Sequence, residues 1–277
     1  MGPLDRRREL ADFLTRRRAG LSPSDVGLPA TTGRRRRTPG LRREELASLA
    51  GVSVDWYIRL EQGRAERPSP SVLDALSGAL RLSDDERHHL YALARAERPP
   101  LNSTPDERAD ATLLRVLHAL PDTVPAMLLG RRWDLLAWND ALCDLLVPLD
   151  TYPAERRNLI ELTFLYSSYQ ERYADWPAVA EETVANFRAS VGRYLDLPEV
   201  QDLVAHLTHA SPEFARWWAQ HHVREKSSGI KQFRMPDGVV PLRYDTLLSP
   251  SSTDQRLVTY TGEHRHQRPQ GDDVVGT

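Results

Sequence analysis

The sequence predicts a mainly helical protein of two domains, in which a bundle of five helices precedes an α+β domain with helices covering a sheet. Three observations support this fold class. The chain has 277 residues, 40% of them hydrophobic, which exceeds a typical single domain and is enough for two cores. Short amphipathic helical segments fill the first third, whereas strand-like patterns occur only in the second half. The charge changes sign between the two parts.

The charge distribution indicates that the first part binds a polyanion. Residues 1 to 98 carry 19 Arg against 14 Asp or Glu, whereas residues 99 to 277 carry 18 Lys or Arg against 25 Asp or Glu. Such asymmetry is typical of a polyanion-binding part joined to a body with another task. The single cysteine, Cys143, excludes an intramolecular disulfide. With no secretory signal and no run of roughly 20 apolar residues, we expect a cytoplasmic protein without a membrane span.

Apolar spacing and capping residues predict the outer helices of the first domain. The pattern of leucine and phenylalanine predicts one amphipathic helix over residues 4 to 19. Residues 20 to 40 are rich in Gly, Pro, Ser and Thr and predict a loop. Ser69 followed by proline, and Ser83 with Glu86 three residues later, predict the starts of two further helices.

Residues 41 to 63, LRREELASLAGVSVDWYIRLEQG, predict the two helices between these, joined by a tight turn. Leu46 and Ala50 belong to an apolar stripe on the first helix. Gly51 can adopt the positive φ that reverses the chain, and Ser53 can cap the second helix. A helical hairpin in an ordinary bundle is the alternative interpretation.

The outward side of the second helix is suited to the major groove of DNA. An exposed first turn with small or polar side chains is how a recognition helix meets base edges, and arginines around it contact phosphates. An arginine run in the preceding loop can form an arm along the phosphates or the minor groove, or be merely a solvated loop. The candidate DNA contacts are Arg42, Arg43, Ser53, Val54, Asp55, Arg59 and Arg64, with Arg35, Arg36 and Arg37 in the arm.

The stretch RREELASLAGVSVDWYIRLEQGR resembles the helix-turn-helix of XRE-type regulators, the phage repressor and Cro-like family. The resemblance implies that Arg43, Val54, Asp55 and Arg59 lie where the family contacts bases. Because phage members often have glutamines there, their operator sequences do not carry over.

A second resemblance extends over nearly the whole chain. The long insert before Leu41 and the segments GRRWDLLAWNDA, SPEFARWWAQHHV, KQFRMPDG and QRLVTYT are similar to a subgroup with an MmyB-like ligand-binding domain. This resemblance implies a PAS-like sensor domain and a small apolar, fatty-acid-like ligand.

The chain therefore divides into a DNA-binding domain over 1 to 96, a proline-containing linker over 97 to 110, a ligand-binding domain over 111 to 262 and a polar tail over 263 to 277. Within the third part the sequence predicts a hairpin in residues 126 to 139, followed by a short helix. It also predicts helices over 113 to 120, 177 to 193, 198 to 208 and 211 to 222, and strands over 231 to 235, 239 to 248 and 256 to 261.

Apolar residues of the second domain are the candidate lining of a ligand site, with simple core packing as the alternative. His221 and His222 with Arg224 are a further, weaker candidate for binding a carboxylate. We find no nucleophile elbow, phosphate loop or zinc-binding motif, and so expect neither a metal, a cofactor nor an enzyme. The candidate ligand-binding residues are Leu128, Leu136, Trp138, Phe164, Phe187, Trp218, Phe233 and Tyr260.

These features together predict a DNA-binding transcriptional regulator that responds to a small apolar ligand. Its partners are double-stranded DNA, the ligand and a second copy of the chain, because one short helix reads few base pairs. The alternative is a DNA-binding regulator whose second domain serves only for dimerisation or for docking a protein partner.

Overall fold

The computed structural model of the chain describes residues 5–29, 40–65, 68–94, 107–249 and 252–262. In this part of the chain the first domain has the five predicted helices, and one 3-10 turn, Pro23–Val26, within the predicted loop. The helices are α1 Arg6–Ala19, α2 Arg43–Leu49, α3 Val54–Glu61, α4 Pro70–Ala79 and α5 Asp84–Ala94.

In the described residues 107–249 and 252–262, the second domain combines seven helices with one antiparallel sheet of five strands in the order β2-β1-β5-β4-β3. The predicted α+β fold class is thereby confirmed. Residues 149 to 175, for which no element is predicted, hold α8 and α9. The elements are α6 Ala111–Ala119, β1 Ala126–Leu129, β2 Leu135–Trp138, α7 Asp140–Leu145, α8 Leu159–Leu165, α9 Ser167–Gln170, α10 Trp176–Val191, α11 Pro198–Ala210, α12 Pro212–Trp218, β3 Ser228–Met235, β4 Gly238–Ser249 and β5 Ser252–Gly262.

None of the helices in the described ranges has the length and the hydropathy that a membrane crossing requires.

The two faces of the sheet contact different helices, because successive side chains of a strand point to opposite sides. On one face, Leu128 and Leu257 pack against Leu113 and Leu117 of α6. On the other face, Met127, Leu129, Val258 and Tyr260 face the main core with α10 and α12. The second face is the one that borders a cavity.

Both edges of the sheet are paired with non-strand segments. Beside β3, the amide of Ala174 donates to the carbonyl of Gln232, and the amide of Arg234 donates to the carbonyl of Arg172. Beside β2, the amide of Leu135 donates to the carbonyl of Arg157. The backbone groups at the two ends of the sheet are therefore partly satisfied within the chain.

The turn between α2 and α3 is a Schellman motif. The amide of Val52 donates to the carbonyl of Ala47 at 3.0 Å, and the amide of Gly51 donates to the carbonyl of Ser48 at 3.2 Å. Gly51 has φ of 64°, as the sequence predicts. The Ser53 hydroxyl then accepts from the amide of Trp56 and caps α3. These bonds fix the angle at which α3 leaves the turn.

The two domains contact each other through α1 and α5 on one side and α10 with the end of α12 on the other. Glu9 of α1 forms a buried ion pair with Arg188 of α10, and its Oε1 lies 3.1 Å from Nδ1 of His221. The guanidinium of Arg188 also lies 3.8 Å from the ring centroid of Trp218. Close by, Arg17 of α1 donates to the carbonyl of His221 at 2.7 Å.

Replacing Gly51 by alanine should destabilise the protein by about 1 kcal/mol, because an L side chain is strained at positive φ. Gly78 within α4 is the matched control. An added Cβ meets nothing within 4 Å at either position, but Gly78 has no positive φ. Gly78→Ala should stabilise by up to about 1 kcal/mol through helix propensity. Urea denaturation of the full chain measures both, and equal effects of the two substitutions would contradict the role given to the turn.

Candidate nucleic-acid interface and ligand cavity

The outward side of α3 lies on the surface of the described structure. Asp55 and Arg59 are exposed, Ser53 before them is exposed, and Val54 is half-buried. The flanking Arg42, Arg43 and Arg64 are exposed as well. The predicted arm residues Arg35, Arg36 and Arg37 lie outside the described residues. The seven other candidate DNA contacts are thus exposed or half-buried at the start of α2 and along α3 and its end, and their contact with DNA stays a prediction.

The inward side of α3 is buried against the rest of the bundle. Tyr57 has none of its surface exposed, and Leu60 only 3%. These two residues pack with Leu46 of α2 and Phe13 of α1 in one core cluster. The buried side of α3 therefore anchors the helix in the bundle, and among the described residues the side chains of Asp55 and Arg59 on its other side remain exposed.

A buried carboxylate, that of Glu61, joins three helices behind this face. Nε of Arg18 in α1 donates to its Oε1 at 2.6 Å, and Nε of Arg43 in α2 donates to its Oε2 at 2.6 Å. The hydroxyl of Tyr57 in α3 donates to Oε1 at 2.7 Å. Arg18 also donates to the carbonyl of Leu41 at 2.6 Å, which holds the chain entering α2.

The charged form of Glu61 is favoured in this setting. Burial alone would raise its pKa, but the hydrogen bonds from Arg18, Arg43 and Tyr57 outweigh burial, and the pKa lies below its ordinary value of 4.5. Burial and the neighbouring carboxylate raise the pKa of Tyr57, so its hydroxyl remains a donor. The cluster is fully formed only while Glu61 is ionised.

Arg43 has a structural partner that the sequence does not predict. Its Nε is bound to Glu61, while its side chain remains 44% exposed. The bond thereby holds the guanidinium of Arg43 at the start of α2 close to the C-terminal end of α3. Arg64 contacts Gln62 on the same surface.

The second domain has a cavity of about 650 Å³, its mouth included, between the inner face of the sheet and α10. Met127, Leu129 and Val258 supply an apolar wall from β1 and β5. Polar side chains line the rest of the cavity, among them Thr183, Asn186 and Ser190 of α10, Tyr169, Tyr173, Tyr244, Thr246, Lys226, Lys231 and Arg256.

Most of the predicted ligand-binding residues do not lie in this lining, and their contact with a ligand stays a prediction. Tyr260 is the one of the eight that borders the cavity. Leu128 and Leu136 pack against α6 on the opposite face of the sheet. Phe164, Phe187, Trp218 and Phe233 belong to the main core, and the half-buried Trp138 packs against it.

His221 does not form a carboxylate site with His222 in the described structure. Its ring contacts Glu9 and Arg188, and burial, followed by the charge of Arg188, lowers the pKa of His221 to about 3. The ring is therefore neutral across the physiological range. His222 is exposed, and its Nδ1 lies 3.7 Å from Oε1 of Glu181.

The segment from 222 to 227 connects the cavity with the first domain. Glu225 and Lys226 border the cavity. The amide of Glu225 donates to Oδ2 of Asp85 in α5 at 2.9 Å. His88 of α5 lies 3.7 Å from the carboxylate of Glu225. One short segment thus contributes to the cavity wall and touches the helix bundle.

Arg188 and Lys231, two residues that the sequence-based prediction omits, nevertheless have a recognisable sequence signal. Arg188 lies among Val184, Phe187 and Val191, and a charge within an apolar helical stripe indicates a buried ion pair. Lys231 alternates with apolar residues on the inner face of β3, next to Phe233. An inward cation in a strand indicates a polar site rather than a plain core.

Two family models match the chain. The model for a helix-turn-helix domain matches residues 33–90. The model for an MmyB-like transcription regulator ligand binding domain matches residues 109–268. No curated protein shows a significant match.

Removing the charge of Glu61 should flatten the acid dependence of stability. A carboxyl with a lowered folded pKa stabilises the fold above its unfolded pKa, and that stabilisation is lost as the pH falls through the folded pKa. The wild-type protein should therefore lose stability as the pH falls below 4.5, the ordinary pKa of a glutamate side chain. Glu61→Gln should be less stable at neutral pH and less dependent on pH in this acidic window.

Thermal unfolding of both proteins between neutral and acidic pH measures this difference. Glu44→Gln is the matched control, since Glu44 is an exposed carboxylate at the start of α2. The prediction would be wrong if Glu61→Gln lost stability at acidic pH as steeply as the wild-type protein while Glu44→Gln did not.

Proposed function

Because the ligand-binding-domain model matches more than half of it, this chain belongs to the family of MmyB-like transcription regulators, and we propose that it reads a specific operator through α3 under the control of a small ligand. The two matched domains identify a DNA-binding transcription regulator with a ligand-binding domain.

The exposed first turn of α3, with its back buried, is the observation that carries the DNA-binding proposal. In this arrangement Arg59 can donate two hydrogen bonds to a guanine edge, and Asp55 can accept from a cytosine amine. Val54 offers an apolar contact to a thymine methyl group. The carboxylate of Asp55 also repels phosphates and base edges that present hydrogen-bond acceptors. This repulsion improves the discrimination between DNA sequences without increasing the affinity.

The surrounding arginines are proposed to position α3 on the duplex. Arg42 and Arg64 are suited to phosphates on either side of the groove, and Arg43 is oriented by its bond to Glu61. Each phosphate contact steepens the salt dependence of binding by roughly one unit of the log–log slope. A homodimer on a two-fold operator is part of the proposal, because a single short helix specifies few base pairs.

The cavity is proposed to bind a small ligand with an apolar chain, of the fatty-acid-like class. Its wall of Met127, Leu129 and Val258 supports an apolar chain. The segment bearing Glu225 supports a route to the DNA-binding domain, since it touches Asp85 of α5. A ligand changes DNA affinity only if it binds the DNA-competent and incompetent states unequally.

The rival proposal is that the second domain serves only for dimerisation or partner docking. Mass spectrometry of solvent extracts of the purified protein distinguishes the two. A copurifying small acid, and an operator affinity that changes when it is removed and restored, would support the ligand. An empty extract, together with an operator affinity unchanged by any added fatty acid, would favour the rival.

Arg59→Ala should weaken specific operator binding by roughly 1–3 kcal/mol and relax sequence preference at one base pair. Arg64→Ala should weaken binding to all sequences nearly equally and reduce the salt slope by about 1, as expected for a phosphate contact. Footprinting first supplies the operator, and gel-shift titrations at several salt concentrations measure both variants.

Arg81→Ala serves as the control for a change in charge, because Arg81 is an exposed cation after α4 and outside the proposed surface. Circular dichroism checks that each variant is folded. Unchanged operator affinity in folded Arg59→Ala would overturn the assignment of the recognition face.

A further inference from the structure

One end of the cavity carries an excess of positive charge. Both lysines of the chain, Lys226 and Lys231, border it. Lys226 is bound to Glu182 at 2.8 Å, and the same carboxylate accepts from Tyr244 at 2.8 Å. Lys231 forms no ion pair with the described residues and lies over the rings of Tyr173 and Tyr244, at 5.8 and 5.1 Å from their centroids. Two ammonium groups therefore face a single carboxylate that is already occupied.

Arginine supplies nearly all other cations of the chain, which makes the use of lysine here informative. A lysine presents a compact point charge with three donors, whereas arginine presents a planar fork. Burial is the main cause that lowers the pKa of Lys231 to about 8. The negative charge of Glu182 raises this pKa, and the positive charge of Lys226 lowers it further. An anion beside this amine would restore its charged form, so the site gains most from an acidic ligand group.

The other end of the cavity holds hydrogen-bond donors that lack acceptors. Nη1 of Arg256 donates to the hydroxyl of Ser190 at 2.8 Å. Nε of Arg256 and Nε1 of Trp133 are buried and have no acceptor among the described residues. Burial lowers the pKa of Arg256, and the charges of Glu225 and Asp254 oppose this effect. Buried donors are normally satisfied, which indicates that this end accepts an oxygen of a ligand.

The register of the sheet separates the two ends. Lys231 lies opposite Leu242 of β4 and Arg256 lies opposite Leu248, six positions along the same strand. At about 3.3 Å per residue this corresponds to roughly 20 Å between the two rows of backbone. Between the two rows lie Val258 and its β1 partner Met127, together with Thr246, the polar β4 partner of Val258. The cavity therefore has polar groups at both ends and a strip of apolar side chains along one wall between them.

Resting on the proposed ligand-binding function, we propose that the cavity selects an elongated acid with an oxygen acceptor at each end, of which an α,ω-dicarboxylic acid is the simplest member. Lys231 binds one carboxylate, and Arg256 with Trp133 binds the other. A simple fatty acid satisfies one end and leaves the donors of the other end buried against its methyl terminus. The two-ended acid is therefore preferred over a fatty acid of equal length.

Isothermal titration of the full chain with matched pairs of acids tests this preference. The diacids from octanedioic to tetradecanedioic acid are compared with the monocarboxylic acids of the same carbon number, after solvent extraction of the protein. At the best-fitting length the diacid should bind at least about tenfold more tightly, the difference expected for a charge-assisted hydrogen bond at a buried site. Equal or tighter binding of the monocarboxylic acid at every length would overturn the two-ended preference.

Three variants assign the ends. Trp133→Phe keeps an aromatic ring and removes the Nε1 donor, so it should weaken binding of the diacid and leave binding of the monocarboxylic acid unchanged. Lys231→Met should weaken binding of both acids. Arg243 is an exposed cation on the outer side of β4, and Arg243→Met should change the binding of neither acid. Trp133→Phe with no effect on the diacid would overturn the assignment of the second end, even if Lys231→Met fails to fold.

Operator titrations run in parallel separate this inference from the function on which it rests. Operator binding that responds to monocarboxylic acids alone overturns the two-ended preference and leaves the regulator proposal in place. A protein that binds diacids but no operator overturns the regulator proposal and leaves the ligand class in place.

Discussion

The carboxylate of Glu61 is the constraint on which the geometry of the first domain depends. It is the last residue of α3, and it binds an arginine from α1, an arginine from α2 and a tyrosine from its own helix. A buried carboxylate is costly unless it is fully hydrogen-bonded, so the three helices have one arrangement in which this group is satisfied. That arrangement places the opposite side of α3 in solvent. The exposure of Asp55 and Arg59 is thus a consequence of how Glu61 is buried.

Helix α10 has a comparable role for the whole chain. Thr183, Asn186 and Ser190 lie three and four residues apart and face the cavity. Arg188, on another side of the same helix, forms the buried ion pair with Glu9 of α1. One helix therefore borders the cavity and contacts the helix bundle of the first domain. A shift or rotation of α10 would separate a buried charge from its partner, and the ion pair therefore opposes such a movement.

The predictability of the structure from the sequence follows from how local each signal is. The five helices, the Gly51 turn and the hairpin of β1 and β2 are encoded by caps, glycine and periodicity within a few residues, and each is found where the sequence predicts it. The cavity lining is not local. Leu128 and Met127 are equally apolar neighbours, and only the pairing of β1 with β5 and the position of α6 decide which of them faces the cavity. The partner of Arg188 is likewise 179 positions away in the chain, beyond the reach of any spacing argument.

The covered edges of the sheet have a consequence for the protein in concentrated solution. The outer side of β3 and β4 exposes Ile230, Val239 and Leu247, an apolar surface that invites stacking of further strands. Stacking into fibrils requires a row of free amide and carbonyl groups at an edge, and residues 172 to 174 and Arg157 already use several of those groups. The chain can therefore keep apolar side chains on the outside of its sheet while denying a neighbouring molecule the template for cross-β growth.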